Sequence, residues 1–264
     1  MGTSTSSGGA PSGVSFDPPW INGIALQIEP EVSVVAVPDA PSERARFKEA
    51  RIHLSKYLRS GGEPRLKASV GHYVKHGLGG ARRAVSRLRI PVAASVAIWS
   101  SLQRLVDRDD KDAQEWIDRI LSADDKIEAL EEELAKQVVP EGGSVDEESC
   151  RRSIAYAISE LQREYPNVEV EQLHEDGIFF IIELFLAREI FNRYLFDIGQ
   201  RLEQMKIADM PRCEKEIMRY IRSTLSVKMK TLRKKGAHRT KKEMMELMSN
   251  VLRETLEVFE EAAE

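Results

Sequence analysis

Cysteine is scarce in this chain. Cys150 and Cys213 are its only two in 264 residues, and their wide, unpatterned separation argues against a disulfide framework or a cysteine-based zinc site. Aromatic residues make up only 6%, which weighs against a groove that stacks nucleic-acid bases. No stretch approaches 18 uncharged apolar residues, so no membrane-spanning helix is expected. The opening lacks the basic start and apolar core of a secretory signal. With 16 Gly and 11 Pro against 42% hydrophobic residues, collagen-like and wholly disordered classes are excluded as well. What remains is an expectation of a cytoplasmic, helix-leaning globular protein of one or two domains.

Charge of one sign is missing locally rather than globally. The net charge is −4, yet residues 1–41 hold no Lys or Arg and four acids, Asp17, Glu29, Glu31 and Asp39. Residues 42–104 hold fourteen Lys/Arg against three acids, and residues 105–150 hold sixteen acids against five bases. A second basic cluster, eight Lys/Arg without an acid, covers 228–242. Blocks of opposite sign attract one another, so internal neutralisation is the first reading and a nucleic-acid groove the second.

The chain divides by composition into three parts: a tail at 1–41, a basic-then-acidic helical part at 42–139, and a C-terminal helical part at 140–264. The first thirteen residues, MGTSTSSGGAPSG, are almost all Gly, Ser, Thr or Pro, too polar to offset the entropy of ordering, and predict a flexible tail. Phe16, Pro18, Pro19 and Trp20 follow as a stiff, sticky extended stretch. Val32–Val37 is β-branched and suits a short strand, but no partner strands appear downstream.

From Pro41 onward the apolar spacing is helical throughout, which predicts an all-α fold, an irregular multi-helix bundle behind an extended N-terminal tail. Ser42 can cap a first helix that Gly61-Gly62 stops. Pro64 suits the first turn of a second, ending at Gly77. A third runs from Gly80 towards Arg89, where Pro91 breaks or kinks it ahead of an apolar run to Val106. Asp110 or Asp112, then Ser122 or Asp124, serve as further caps. Ser144 and Glu147 have capping-box spacing after the Pro140–Gly143 boundary. A long helix over 178–205, apolar nearly all round in its first half, should be buried, with two more at about 211–235 and 240–262.

Few residues offer chemistry. His72 and His76 have the i, i+4 spacing of two metal ligands, but Tyr73 stands where a protease glutamate belongs and no third ligand is placed; a surface or capping role is the stronger reading. Gly77 to Arg82 departs from a dinucleotide fingerprint and reads as a helix–helix turn, with an anion at the helix start as the lesser use. No Ser/His/Asp, Cys/His or Walker-type set is detectable, so no catalytic residue, metal ligand or cofactor is assigned and the chain is expected to be no enzyme. Arg82, Arg83, Arg87 and Arg89 crowd one short helix. They are expected to contact a partner protein, or an internal acidic face such as Glu131-Glu132-Glu133, with nucleic acid as the lesser possibility. Met1-Gly2-Thr3-Ser4 matches a short lipid-acylation pattern. More simply, loss of Met1 would leave an unhindered glycine amine with a pKa of about 7.7–8.0, a useful fraction of it neutral and nucleophilic in the cytoplasm.

Several stretches together resemble the QatB family of the four-gene Qat antiphage system. They are MGTSTSSGGAPSG with Pro18-Pro19-Trp20, ARIHLSKYLRSGG from Ala50, VGHYVKHGLGGARRAVSR from Val70, and PEGGSVD from Pro140. The 228–242 basic segment departs from that pattern, and nothing is carried over to it. The resemblance implies partners: an ATPase (QatA), a QueC-like enzyme (QatC) and a TatD-like nuclease (QatD). QueC enzymes use ATP to activate the carboxylate of 7-carboxy-7-deazaguanine, so the resemblance also implies Gly2 as the acceptor of that group. Thr3, Ser4, Gly8 and Gly9 would thread as extended backbone, and Phe16, Pro18, Pro19 and Trp20 would dock on the partner. The alternative is a nucleic-acid-binding or scaffold subunit using the 42–104 basic block.

Overall fold

The computed structural model describes residues 46–107, 114–139, 144–199, 210–233 and 240–263. Helices form wherever the apolar residues recur on one face, and no strand occurs among the described residues. In chain order they are α1 (Lys48–Ser60), α2 (Glu63–His72), α3 (Ala81–Arg87), α4 (Arg89–Asp107), α5 (Gln114–Ser122), α6 (Lys126–Val138), α7 (Val145–Glu164), α8 (Glu175–Ile198), α9 (Met210–Arg233) and α10 (Lys241–Glu261). The expected all-α architecture is the observed one. The expected tail, the Val32–Val37 strand and the caps at Ser42, Asp110 and Asp112 lie outside the described residues.

The run IFFIIELFLA makes α8 the axis of the body. Every residue from Ile178 to Ala187 is buried, and the helix packs against α4, α7 and α9. A helix apolar all round must be covered on all sides, and here it is. The amphipathic α10 lies across α2, α3, α4 and α9, and α6 ties the α5–α6 hairpin to α4 and α7. One continuous core runs from Phe47 to Phe259 and includes side chains from both sides of the Pro140–Gly143 segment.

Local chemistry sets the helix ends. Gly61 and Gly62 take φ 63° and 102°, stopping α1, and Pro64 sits in the first turn of α2. Both capping boxes close as reciprocal pairs: Ser144 with Glu147 on α7, and Thr240 with Glu243 on α10. Three expectations are corrected. The cap of α6 is Asp125, whose carboxylate accepts from the Ile127 and Glu128 amides at 3.0 Å, whereas Ser122 donates back to Asp118 O inside α5. Pro91 does not break the chain. The break falls at Leu88, and Pro91 occupies the first turn of α4, where a missing N–H costs nothing. The second helix does not run unbroken to Gly77; α2 loosens after His72 into a π-helical turn, Tyr73–Leu78, closed by Gly79 in the left-handed region.

Candidate functional site

Nine of the expected site residues, Gly2, Thr3, Ser4, Gly8, Gly9, Phe16, Pro18, Pro19 and Trp20, lie outside the described residues. The four arginines are placed. Arg82, Arg83 and Arg87 stand on α3 and Arg89 opens α4, all exposed. The start of α3 already holds an anion, because the Ala81 amide donates to Glu260 Oε2 of α10 at 2.9 Å. Two residues of the acidic run on α6 are engaged within its own hairpin: Glu133 accepts from Arg119 at 2.8 Å and Lys136 at 3.0 Å, and Glu132 lies 3.7 Å from Lys136.

Arg87 belongs to a cluster that four elements assemble. Asp197, near the end of α8, is its centre. Its backbone carbonyl accepts from Arg51 Nη2 at 2.9 Å, and its Oδ2 accepts from Tyr73 Oη at 2.8 Å. Arg193, one turn earlier on α8, stands 3.6 Å from the same Oδ2 through Nε and 3.4 Å from Asp146 Oδ1 through Nη1. That Nε is buried and makes no hydrogen bond. Phe47 carries the Arg46 and Arg51 guanidiniums 5.7 and 5.6 Å from its ring centroid and stacks on Tyr73.

The charges in this cluster strain one another. Partial desolvation pushes the Arg87 pKa down, Arg46 and Arg193 push it further, and Asp197 works against them. Burial, with Asp197 beside it, drives the Tyr73 phenol up, so Tyr73 stays a hydrogen-bond donor. The negative group that the arrangement holds and orients is its own, the Asp197 carboxylate. Sequence reasoning found Arg87 but missed Arg46, Arg51, Arg193 and Asp197. The i, i+4 spacing of Arg193 and Asp197 was the sole local trace, and such pairs occur on many solvated helices.

Two further polar groups are built into the body. His53 joins His72 and His76 in a ladder of near-parallel rings, 4.8 and 5.5 Å between centroids. Lone pairs in nearly parallel ring planes do not converge on one ion, and no metal-holding group of three His, Cys, Asp or Glu occurs among the described residues. Burial lowers the His72 pKa, and His53 and His76 lower it further. Between α7 and α8, Glu189 accepts from Ser149 at 2.9 Å and Ser153 at 2.5 Å, with Asn192 donating to both hydroxyls at 3.3 and 3.2 Å. Burial raises Glu189 to about 7 against the lowering pull of those serines. Cys150 beside it is a buried thiol whose pKa is pushed well up, the opposite of an activated nucleophile.

A family model described as Qat anti-phage system associated protein QatB matches residues 79–259, about two-thirds of the chain. The matched span begins just before α3 and ends inside α10. No curated protein and no solved structure is detectably similar to the chain.

Proposed function

The chain belongs to the QatB family and is a component of the Qat anti-phage system, and from that premise we propose that it is the protein substrate of a QueC-like enzyme, with Gly2 as the modified residue. The observation that carries this reading is the opening of the chain: Gly2 directly behind Met1, small residues at Thr3, Ser4, Gly8 and Gly9, and the anchor set Phe16, Pro18, Pro19 and Trp20. Once Met1 is removed, the Gly2 amine attacks a deazaguanine carboxyl carbon activated with ATP. The C–N bond forms, the activated oxygen departs on its phosphate, and the amine proton goes to solvent. A chain end without branched side chains reaches a buried acyl group with least steric cost. The exposed Arg82 and Arg83, flanked by Arg87 and Arg89, supply a cationic docking face for the partner.

Intact mass of the protein co-expressed with its partners, compared with the protein alone, tests the proposal. The expected product is heavier by one 7-carboxy-7-deazaguanine less one water. Extending the N-terminus by even a few residues should abolish both the mass gain and defence, while His72→Ala should leave the modification in place. An unmodified Gly2 in protein taken from a fully active system would sink it. A second reading, a nucleic-acid-binding or scaffold subunit built on residues 42–104, draws on the same exposed arginines. It requires DNA binding that falls steeply between 50 and 200 mM salt and disappears on reversing those charges.

A further inference from the structure

Three helices, α4, α7 and α9, pack against the apolar α8. Along the strip of α8 between α7 and α9, side chains form the roof. Arg188 is half-buried there over two rings, 4.9 Å from the Tyr156 centroid and 5.0 Å from that of Phe191. Arg222 reaches in from α9 to 5.2 Å from the Phe180 centroid, its Nε 3.5 Å from Glu183 Oε1. Tyr165, just past the end of α7, meets the Phe180 ring edge-on at 5.5 Å and stays 52% exposed. The two arginines differ. Arg222 has a carboxylate beside it, whereas Arg188 meets its two rings and, among the described residues, no carboxylate. A guanidinium held over ring faces still has its N–H donors to offer to an anion.

We propose that this strip is the docking site of the chain's own N-terminal arm at Phe16-Asp17-Pro18-Pro19-Trp20, with Asp17 as the carboxylate that Arg188 lacks. Chemistry favours this occupant first. A proline pair between aromatic residues is stiff and extended, and aromatic-lined surfaces are what such segments dock on. Five residues in that conformation span about 15 Å. Phe180 and Phe191 stand eleven residues apart on α8, about 16 Å. Charge favours it next: residues 1–41 carry four acids and no Lys or Arg, which suits a strip where a cation awaits its partner. Reach is the third argument. The first described residue, Arg46, lies at the C-terminal end of α8, because its neighbour Phe47 stacks on Tyr73, whose hydroxyl donates to Asp197. From Asp197 back to Arg188 and Phe180 is about 14 and 26 Å along the helix. The 25 residues between Trp20 and Arg46 have an end-to-end distance of about 25–30 Å as a flexible chain. Tethering raises local concentration most when the linker matches its span. A contact too weak to hold a separate peptide therefore holds the arm, and a partner still displaces it. Gly2 lies fourteen residues ahead of Phe16 and stays unbound. That docking withholds the anchors from a QueC-like enzyme rests on the reading above; the docking itself does not.

The test uses the isolated full-length protein without its partners, so its outcome is independent of any mass gain at Gly2. The photo-cross-linker p-benzoylphenylalanine replaces Trp20, and the cross-linked peptides are mapped by mass spectrometry after irradiation. The expected product is a cross-link within one chain, from position 20 to the strip between Tyr156 and Tyr165 on the α7 side or Phe180 and Phe191 on α8. Its yield should fall several-fold in Arg188→Gln and in Asp17→Lys, and should also fall as salt is raised. Arg82→Gln should leave it unchanged, since Arg82 stands on α3. Asp17 lies outside the folded helices, so Asp17→Lys decides the matter alone if Arg188→Gln unfolds. No cross-link within the chain, a cross-link to another face, or an undiminished yield in Asp17→Lys overturns the proposal. A cross-link to the same strip that joins two chains overturns it in favour of a second copy as the occupant.

Discussion

Glu189 holds its proton further up the pH scale than an ordinary carboxyl because burial disfavours its charge. In the unfolded chain it titrates near 4.5, and in the folded chain near 7. Below 4.5 both states are protonated and the group is neutral to stability. Between those values the unfolded chain loses the proton first, so stability falls as pH rises, by about 3 kcal/mol in all. Glu189→Gln keeps a neutral acceptor for the two serines at every pH. Its stability relative to wild type should therefore climb from pH 5 to pH 8 in urea denaturation; a difference that does not change with pH would refute the buried-proton account. Gly71 is sensitive for a different reason. A Cβ there would lie 2.5 Å from Ala263 N and 2.7 Å from Phe259 O, both backbone atoms that cannot swing aside. Gly71→Ala should cost about 1–3 kcal/mol, read as a drop in melting temperature of several degrees. An unchanged melting temperature would mean that α10 shifts freely against α2.

At the scale of helices, the caps give the cleanest expectation. Ser144 accepts from the Glu147 amide while Glu147 accepts from the Ser144 amide. Ser144→Ala removes one side of that exchange and should cost about 1 kcal/mol, measured as a lower urea midpoint with an unchanged slope. No loss of stability would show that water replaces the cap without penalty. This box was legible in the sequence because Ser and Glu three apart satisfy each other's backbone locally, with no help from the rest of the fold. The same locality explains Gly61-Gly62 and Pro64. Asp125 escaped because three polar residues, Ser122, Asp124 and Asp125, competed for one position and only the packing of α6 chose among them. Pro91 misled because proline is neutral in a first turn and disruptive inside a helix, and sequence alone did not say that α4 starts at Arg89. The π-turn after His72 left no periodic mark, since the Gly71 and Gly77 contacts that accompany it lie across the fold.

For the whole molecule, the helices were readable and their assembly was not. Periodicity marks which face is apolar, but nothing in it joined Arg46, Arg87 and Arg193, because they are neighbours only after α1, α3 and α8 have docked. Among the described residues the buried core runs from Phe47 to Phe259, and the composition of residues 1–41 predicts a tail apart from it. That separates folding from the proposed chemistry of Gly2. Deleting residues 2–41 should leave the helical circular-dichroism signal per residue of the body and its urea midpoint nearly unchanged, while the mass gain from the QueC-like partner disappears. Removing α10 should do the reverse of the first effect: Met244, Met248, Leu252, Leu256 and Phe259 leave the core together, exposing the faces of α2, α3, α4 and α9 that they cover. Losing five buried apolar side chains, each worth roughly 1.5–3 kcal/mol, removes about 8–15 kcal/mol, as much as the usual stability of a whole domain, about 5–15 kcal/mol. The truncated chain should aggregate or show a strongly reduced helical signal. If the N-terminal deletion instead unfolded the body, those residues would be structural, and the case for Gly2 as a free chain end offered to a partner would fail with it.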